Sequence, residues 1–117
     1  MTISKQAQNK LKEKFPFTEV TTQYIAKYVT TSGREIALER DRTDAIYLWV
    51  QKYDQNLDGV RVNNQKFPGQ PYAPKQTRNS NLNEKNTPKL KYGKRAFYLE
   101  MDDLSALDRV LDWYSTL

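Results

Sequence analysis

The pattern of apolar and polar positions predicts a helix at each end of the chain. Near the N-terminus, Ala7 and Leu11 lie four positions apart among lysines and glutamines, which predicts a short amphipathic helix over residues 4–14, capped by its first residue, a serine. Near the C-terminus, Asp102 and Asp103 suit the positive end of a helix dipole and open a second helix. Its predicted buried stripe consists of Leu104, Leu107, Leu111 and Tyr114.

Between the helices, stretches rich in β-branched and aromatic residues predict about five strands. Dipeptides at 32–33 (Ser-Gly) and 58–59 (Asp-Gly) are hairpin signals between consecutive strands. The predicted order is helix, four strands, a long loop, a strand and a helix, which indicates an α+β fold with a small, curved, mostly antiparallel sheet flanked by the two helices. The predicted strands are 18–30, 34–40, 44–53, a short strand with Val60 and Val62, and 95–101.

Length and composition fit one small domain, 1–117. The chain has 117 residues, 38% apolar and 28% charged, which suffices for one core. Because it contains neither His nor Cys, imidazole bases, thiolate nucleophiles, disulfides and zinc ribbons are excluded. No apolar run approaches the ~18 residues of a membrane span, and the N-terminal residues lack the apolar core of a signal peptide. We therefore expect a cytoplasmic protein with no membrane partner.

Positive charge is concentrated in one part of the chain. The formal net charge is +5, yet residues 61–95 hold nine basic residues and one acid, a net charge of +8, and the remainder carries −3. The same stretch contains four of the five prolines and many asparagines, and apolar periodicity is absent from about 63 to 88. This predicts a long basic loop at about 63–92, and loops of that length are usually functional or disordered.

Catalytic and metal-binding motifs are missing or incomplete. No E-x-K nuclease motif, P-loop or G-x-G-x-x-G occurs in the chain. Residues 54–59 match the opening of a calcium loop, but the twelfth position is Gln65 rather than Glu and the eighth is Arg61. A hairpin turn explains the same residues without a metal. We expect no enzymatic activity, no cofactor and no metal.

Tyr47, Trp49 and Tyr53 are predicted on one face of the strand at 44–53, directly before the basic loop. One interpretation is a platform on which nucleic-acid bases stack beside a basic groove. The alternative is that the rings support the core or the loop above them, since a strand buried on both faces shows the same pattern.

A polar run within the loop contains Arg78, Asn79 and Asn81. Arg pairs with guanine and Asn with adenine, and both side chains also hold phosphates. The alternative is a turn in which Asn and Ser side chains bond their own backbone, with Leu82 as an anchor.

The run at 89–95 alternates lysine with Leu and Tyr and ends in Lys94 and Arg95. In an extended chain Lys89 and Lys91 lie on the same side, where each cation near a phosphate adds salt-sensitive affinity that is independent of base sequence. The alternative is an edge strand that its lysines protect from aggregation.

These features predict a non-catalytic domain that binds nucleic acid, DNA in preference to RNA, through phosphate contacts from the basic loop. A small protein-binding module is the alternative, for example an inhibitor encoded by a bacterial phage or mobile element that docks on an acidic protein partner. No RRM, KH or helix-turn-helix motif occurs. The predicted binding residues are Arg61, Lys66, Arg78, Asn79, Asn81, Lys85, Lys89, Lys91, Lys94 and Arg95, with Tyr47, Trp49 and Tyr53 as possible stacking rings.

Overall fold

Two helices and six strands are present in the computed structural model, which describes residues 2–68 and 82–117. In chain order they are α1 (Ile3–Lys14), β1 (Val20–Thr21), β2 (Ile25–Val29), β3 (Glu35–Glu39), β4 (Ile46–Val50), β5 (Val60–Lys66), β6 (Ala96–Met101) and α2 (Leu104–Tyr114). The predicted α+β fold is confirmed. Residues 69–81, which include the predicted base-contacting residues Arg78, Asn79 and Asn81, lie outside the described residues.

Both helices begin at side-chain caps. The Thr2 hydroxyl accepts a hydrogen bond from the Lys5 amide at 3.2 Å, and the Asp103 carboxylate accepts one from the Ala106 amide at 2.8 Å. Each cap satisfies a backbone donor that has no partner within its helix. The predicted acidic start of α2 is confirmed. The predicted cap of α1 is wrong, because the Ser4 hydroxyl lies inside the helix and donates to a backbone carbonyl 36 residues away.

The six strands form one open sheet in the order β1-β2-β3-β4-β6-β5, and all five pairs are antiparallel. β6 therefore lies between β4 and β5, although it follows both in sequence. The predicted antiparallel sheet is confirmed, with one strand more than the approximate number expected. Within the described residues, β1 and β5 form the edges.

The predicted strand at 18–30 consists of two strands in the structure. Between them the Thr22 amide donates to the Ile25 carbonyl at 2.8 Å, and the Thr22 hydroxyl accepts from the Ile25 amide at 3.1 Å. This turn folds β1 back on β2, so that Val20 pairs with Lys27. A threonine side chain that bonds its neighbouring backbone competes with the continuous strand that its β propensity favours.

The predicted hairpin at Asp58 and Gly59 is also wrong, because β5 pairs with β6 and not with β4. The connection that precedes β5 contacts α2 instead, where the Arg109 guanidinium donates to the Asp58 carbonyl at 3.1 Å. β5 also continues to Lys66, beyond the predicted start of the loop, because residues 64–66 pair with β6 after a register shift.

The sheet buries side chains on both of its faces. Both helices pack on one face, as the sequence predicts, and Leu48 belongs to the main core between helices and sheet. The second face holds a smaller core in which Trp49 is buried together with Leu82 and Leu90. Residues 82–95, called the covering segment below, therefore lie over the second face.

Candidate nucleic-acid interface

Three parts of the chain meet at one end of the sheet. Val50, the last residue of β4, pairs with Ile36 of β3 and Phe97 of β6. Because both pairs are antiparallel, the residues that follow β4 lie beside those that precede β3 and β6. Together with the covering segment they surround a cleft of about 650 Å³, called the basic cleft below. Its described lining residues are Arg34, Gln51, Lys52, Glu84, Pro88, Lys89, Lys91, Lys94 and Arg95.

Successive turns and a buried leucine position the cations of the covering segment. The Thr87 amide donates to the Asn83 carbonyl at 2.8 Å, the Leu90 amide to the Thr87 carbonyl at 2.9 Å, and the Lys94 amide to the Lys91 carbonyl at 3.0 Å. The Leu90 side chain is fully buried in the smaller core. The lysines on either side of it are exposed or half-buried and line the cleft.

Glu35, a buried residue, joins the covering segment to the sheet. Its Oε1 accepts a hydrogen bond from the Lys89 amide at 3.0 Å, and the Lys89 ammonium donates to the Gly33 carbonyl at 2.5 Å. The Glu35 amide donates to the side-chain oxygen of Gln51 at 2.6 Å, and its carbonyl accepts from the Tyr114 hydroxyl at 2.8 Å. Two cleft residues, Lys89 and Gln51, are thereby connected to α2 through one position of β3.

Burial raises the pKa of the Glu35 carboxyl above its ordinary value of 4.5. The hydrogen bond from the Lys89 amide and the charges of Lys27 and Lys89 act in the opposite direction, and burial outweighs them. The folded protein therefore holds a proton on this carboxyl more readily than the unfolded chain does.

The effect of Glu35→Gln on stability is expected to depend on pH. Because the folded pKa is raised, the stabilising contribution of the carboxyl is fully present below pH 4.5 and is lost as the pH rises through the folded pKa. The difference in free energy of unfolding, wild type minus variant, should therefore fall as the pH rises from about 4 to about 7. Urea titrations at each pH measure this difference.

Glu84→Gln provides a control of opposite sign. The hydrogen bond from the Lys91 ammonium lowers the pKa of Glu84, so its contribution is present above its unfolded pKa and is lost as the pH falls through the folded value. The difference in free energy of unfolding between wild type and Glu84→Gln should therefore rise with pH. The rise should be small, because solvent screens this exposed pair. If the difference in free energy of unfolding for Glu35→Gln stayed constant or rose with pH, burial would not raise the pKa of the Glu35 carboxyl.

Positive charge is balanced less fully in the basic cleft than on α1. Six described residues lining the cleft are cationic, and two of them form ion pairs: Lys91 with Glu84, the one acid in the lining, and Lys52 with Asp54 at 3.8 Å. On α1, by contrast, three lysines each lie close to a carboxylate, at 2.8, 3.9 and 3.4 Å. An approaching anion therefore meets a more positive potential at the cleft. The pairs on α1 are Lys10–Asp108, Lys12–Glu19 and Lys14–Asp112.

Four of the predicted phosphate-binding cations come together in the structure. Lys89, Lys91, Lys94 and Arg95 all line the basic cleft. Lys85 is exposed on a turn of the covering segment, but it is not among the residues that line the cleft. The cluster of cations in the sequence is thus partly a cluster in space.

Arg61 and Lys66 lie in environments that do not suit their predicted role. Arg61 forms ion pairs with Glu100 and Asp102 at the C-terminal end of β6. Arg95, which lines the cleft, precedes the other end of this strand, about 17 Å away. Its hydrogen bond lowers the pKa of Asp102, which keeps that carboxylate charged and available to the pair. Lys66 is 2% exposed, so its side chain is withdrawn from the surface where a phosphate would bind.

The three rings predicted to stack on bases are buried. Trp49 and Tyr47 both stack on Tyr98, with centroid distances of 4.5 and 5.7 Å. Tyr53 lies on the opposite, helix-covered face, where its ring meets that of Trp113 edge to face with a centroid distance of 5.6 Å. The prediction fails for Tyr53 because β4 ends three residues before it, so the alternation of the strand does not extend to this position. This burial favours the alternative interpretation, in which the rings support the core and the covering segment.

Arg34, Gln51 and Lys52 also line the cleft, although no sequence motif marks them. They flank β3 and β4, at least 30 residues before the start of the covering segment. The signal that could have found them is positional: residues that precede one strand and follow its antiparallel neighbour lie at the same end of a sheet.

Comparison of the chain with protein-family models, with curated proteins and with solved structures finds no match. Within residues 2–68 and 82–117, neither helix is long and apolar enough to cross a membrane. The same part of the chain holds no group of three or more side chains placed to bind a metal ion. The basic cleft is therefore the feature from which a function is inferred.

Proposed function

We propose that the protein is a non-catalytic nucleic-acid-binding domain that holds phosphates in the basic cleft, with DNA as the favoured ligand. One observation carries this proposal: cations from three parts of the chain line a single cleft of about 650 Å³. Arg34 precedes β3, Lys52 follows β4, and the other four belong to the covering segment. A nucleic-acid backbone carries regularly spaced negative charges, so it gains from several cations arranged along one cleft.

The lining side chains offer two kinds of phosphate contact. Arg34 and Arg95 carry planar guanidinium groups that can bind two phosphate oxygens at once, whereas the lysines act as flexible point charges. Gln51 adds a neutral donor, because its carbonyl oxygen accepts from the Glu35 amide and its NH₂ group supplies the hydrogen bond. Contacts of these types position a backbone without reading its sequence.

Base reading in this proposal belongs to Arg78, Asn79 and Asn81, which lie outside the described residues. Arg and Asn side chains form bidentate hydrogen bonds with guanine and adenine edges, respectively. The cleft cations and these three residues thus have separate roles, affinity for the former and sequence preference for the latter.

The double variant Arg34→Ala/Lys52→Ala tests the cleft, because neither residue belongs to the basic run of the sequence. Affinity for short DNA is measured by fluorescence anisotropy between about 50 and 200 mM salt. If both residues contact phosphates, the slope of log affinity against log salt should become shallower by about 1.4–1.8. At low salt the affinity should fall at least about tenfold, since a hydrogen bond to a charged group contributes about 1.5–3 kcal/mol.

Lys5→Ala/Lys12→Ala is the matched control, because it removes two exposed cations from α1, which lies on the other face of the sheet. This variant should keep the wild-type salt slope. Equal losses in the two double variants would contradict the cleft as the binding site. Absence of any complex between the wild type and single- or double-stranded DNA or RNA would contradict nucleic-acid binding and favour docking on an acidic protein.

A further inference from the structure

Tyr92 is 69% exposed and lies on a turn between two lysines that line the basic cleft. The Lys94 amide donates to the Lys91 carbonyl at 3.0 Å, and Gly93 has a φ of 91°, as the third residue of a type II turn requires. The second residue of such a turn lies at its tip. The ring is thus held out at the surface next to cleft cations.

The aromatic residues beneath the covering segment are not accessible to a ligand in this way. Tyr47 and Trp49 are buried and both stack on Tyr98. Leu82 and Leu90 belong to the same small core as Trp49. Tyr92 is the one aromatic residue in the sequence of the covering segment. It does not line the cleft itself, but its exposed ring lies in the chain between Lys91 and Lys94, which do.

The helices do not offer the surface that usually reads a duplex. Proteins generally read duplex DNA by placing a helix or a strand pair in the major groove. Asp108 and Asp112 of α2 are exposed and pair with Lys10 and Lys14 of α1, so acids balance these lysines on the helical face. That face therefore attracts phosphates less strongly than the basic cleft does.

We propose that the ligand of the basic cleft is a single strand, with one base stacked on Tyr92 and neighbouring phosphates held by Lys91 and Lys94; this inference rests on the proposed function. The cleft volume of about 650 Å³ lies within the range of small-ligand sites. A cleft of this size suits a short run of nucleotides. A base in a duplex is covered by its neighbours, whereas a base in a single strand can present its face to an aromatic ring.

Three DNA ligands separate stacking from phosphate binding. They are an oligothymidylate of about 12 nucleotides, an abasic strand of the same length and a duplex of the same length, compared by fluorescence anisotropy at one salt concentration. The wild type is expected to bind the oligothymidylate about 5- to 150-fold more tightly than the abasic strand, the range typical for stacking of one base. It should also bind the oligothymidylate more tightly than the duplex.

Tyr92→Ala should abolish the preference for the strand that carries bases and leave the affinity for the abasic strand unchanged. Tyr92→Phe should keep the preference, because stacking needs the ring and not the hydroxyl. Tyr24→Ala is the matched control: Tyr24 is 43% exposed and precedes β2, outside the cleft. This control should bind all three ligands as the wild type does. Thermal melts confirm that each variant is folded.

The outcomes distinguish this inference from the function on which it rests. Equal wild-type affinity for the two single strands, an equal loss for both in Tyr92→Ala, or a preference for the duplex would overturn stacking and leave phosphate binding in the cleft intact. Failure of the wild type to bind any of the three ligands would overturn the proposed function itself.

Discussion

Leu90→Ala is expected to lower the free energy of unfolding by about 2–5 kcal/mol and to weaken nucleic-acid binding at the same time. Leu90 is fully buried in the smaller core together with Trp49. Trp49 is held in place by its stack on Tyr98 and by a hydrogen bond from Nε1 to Glu39 at 3.2 Å, so it cannot move to fill the space. The cavity therefore persists, and the covering segment loses the anchor that fixes its lysines.

Leu107→Ala separates the effect on stability from the effect on binding. Leu107 is also fully buried, but it belongs to α2 and to the main core on the helix-covered face. Urea unfolding should show a similar loss of stability, whereas anisotropy under conditions where both variants are folded should show weakened binding only for Leu90→Ala. Equal affinities of the two variants would mean that the cleft does not depend on this anchor.

Gly59→Ala is expected to lower the free energy of unfolding by about 2–5 kcal/mol through two additive effects. Gly59 has a φ of 79°, in the left-handed region, which costs an alanine about 1–2 kcal/mol. A Cβ at this position would also lie 3.0 Å from the Cβ of Ala106 on α2, and such overpacking costs about 1–3 kcal/mol. Hydrogen bonds on both sides limit relaxation, from Asp102 to the Gly59 carbonyl and from Arg109 to the Asp58 carbonyl.

Gly93→Ala isolates the backbone part of that loss. Gly93 has a φ of 91°, but a Cβ there would meet no atom within 4 Å. The expected cost is therefore the left-handed backbone alone, about 1–2 kcal/mol. Urea unfolding of both variants measures the difference. If Gly59→Ala and Gly93→Ala lowered the free energy of unfolding equally, the close contact between position 59 and Ala106 would relax without cost.

Elements whose signal is local were predictable from the sequence. The acidic cap of α2 depends on neighbouring residues and is confirmed. Within β4 the predicted alternation also holds, since Leu48 belongs to the main core and Trp49 to the smaller one, but it fails at Tyr53 beyond the end of the strand. The errors concern the choice of a hydrogen-bonding partner. Residues 58–59 have the composition of a hairpin turn, yet β4 pairs with β6 and not with β5. This pairing joins strands that lie far apart in sequence, so no local signal reveals it.

The candidate site was predictable to the extent that its cations are neighbours in the chain. Lys89, Lys91 and Lys94 fall in one run, and all three line the cleft. Arg61 belongs to the same basic stretch of sequence, but pairing along the sheet brings it to Glu100 and Asp102. Charge counted along a chain does not reveal which charges are neutralised across a sheet.

Composition alone excludes imidazole and thiol chemistry, and the order of the residues separates a stretch of net charge +8 from a remainder of −3. The fold brings Arg34 and Lys52 to the cations of the covering segment, and it buries Trp49 while it leaves Tyr92 exposed between two lysines of the cleft. Composition and local propensity are properties of residues that are neighbours in the chain. Electrostatic potential and burial depend on distances between residues that the fold brings together.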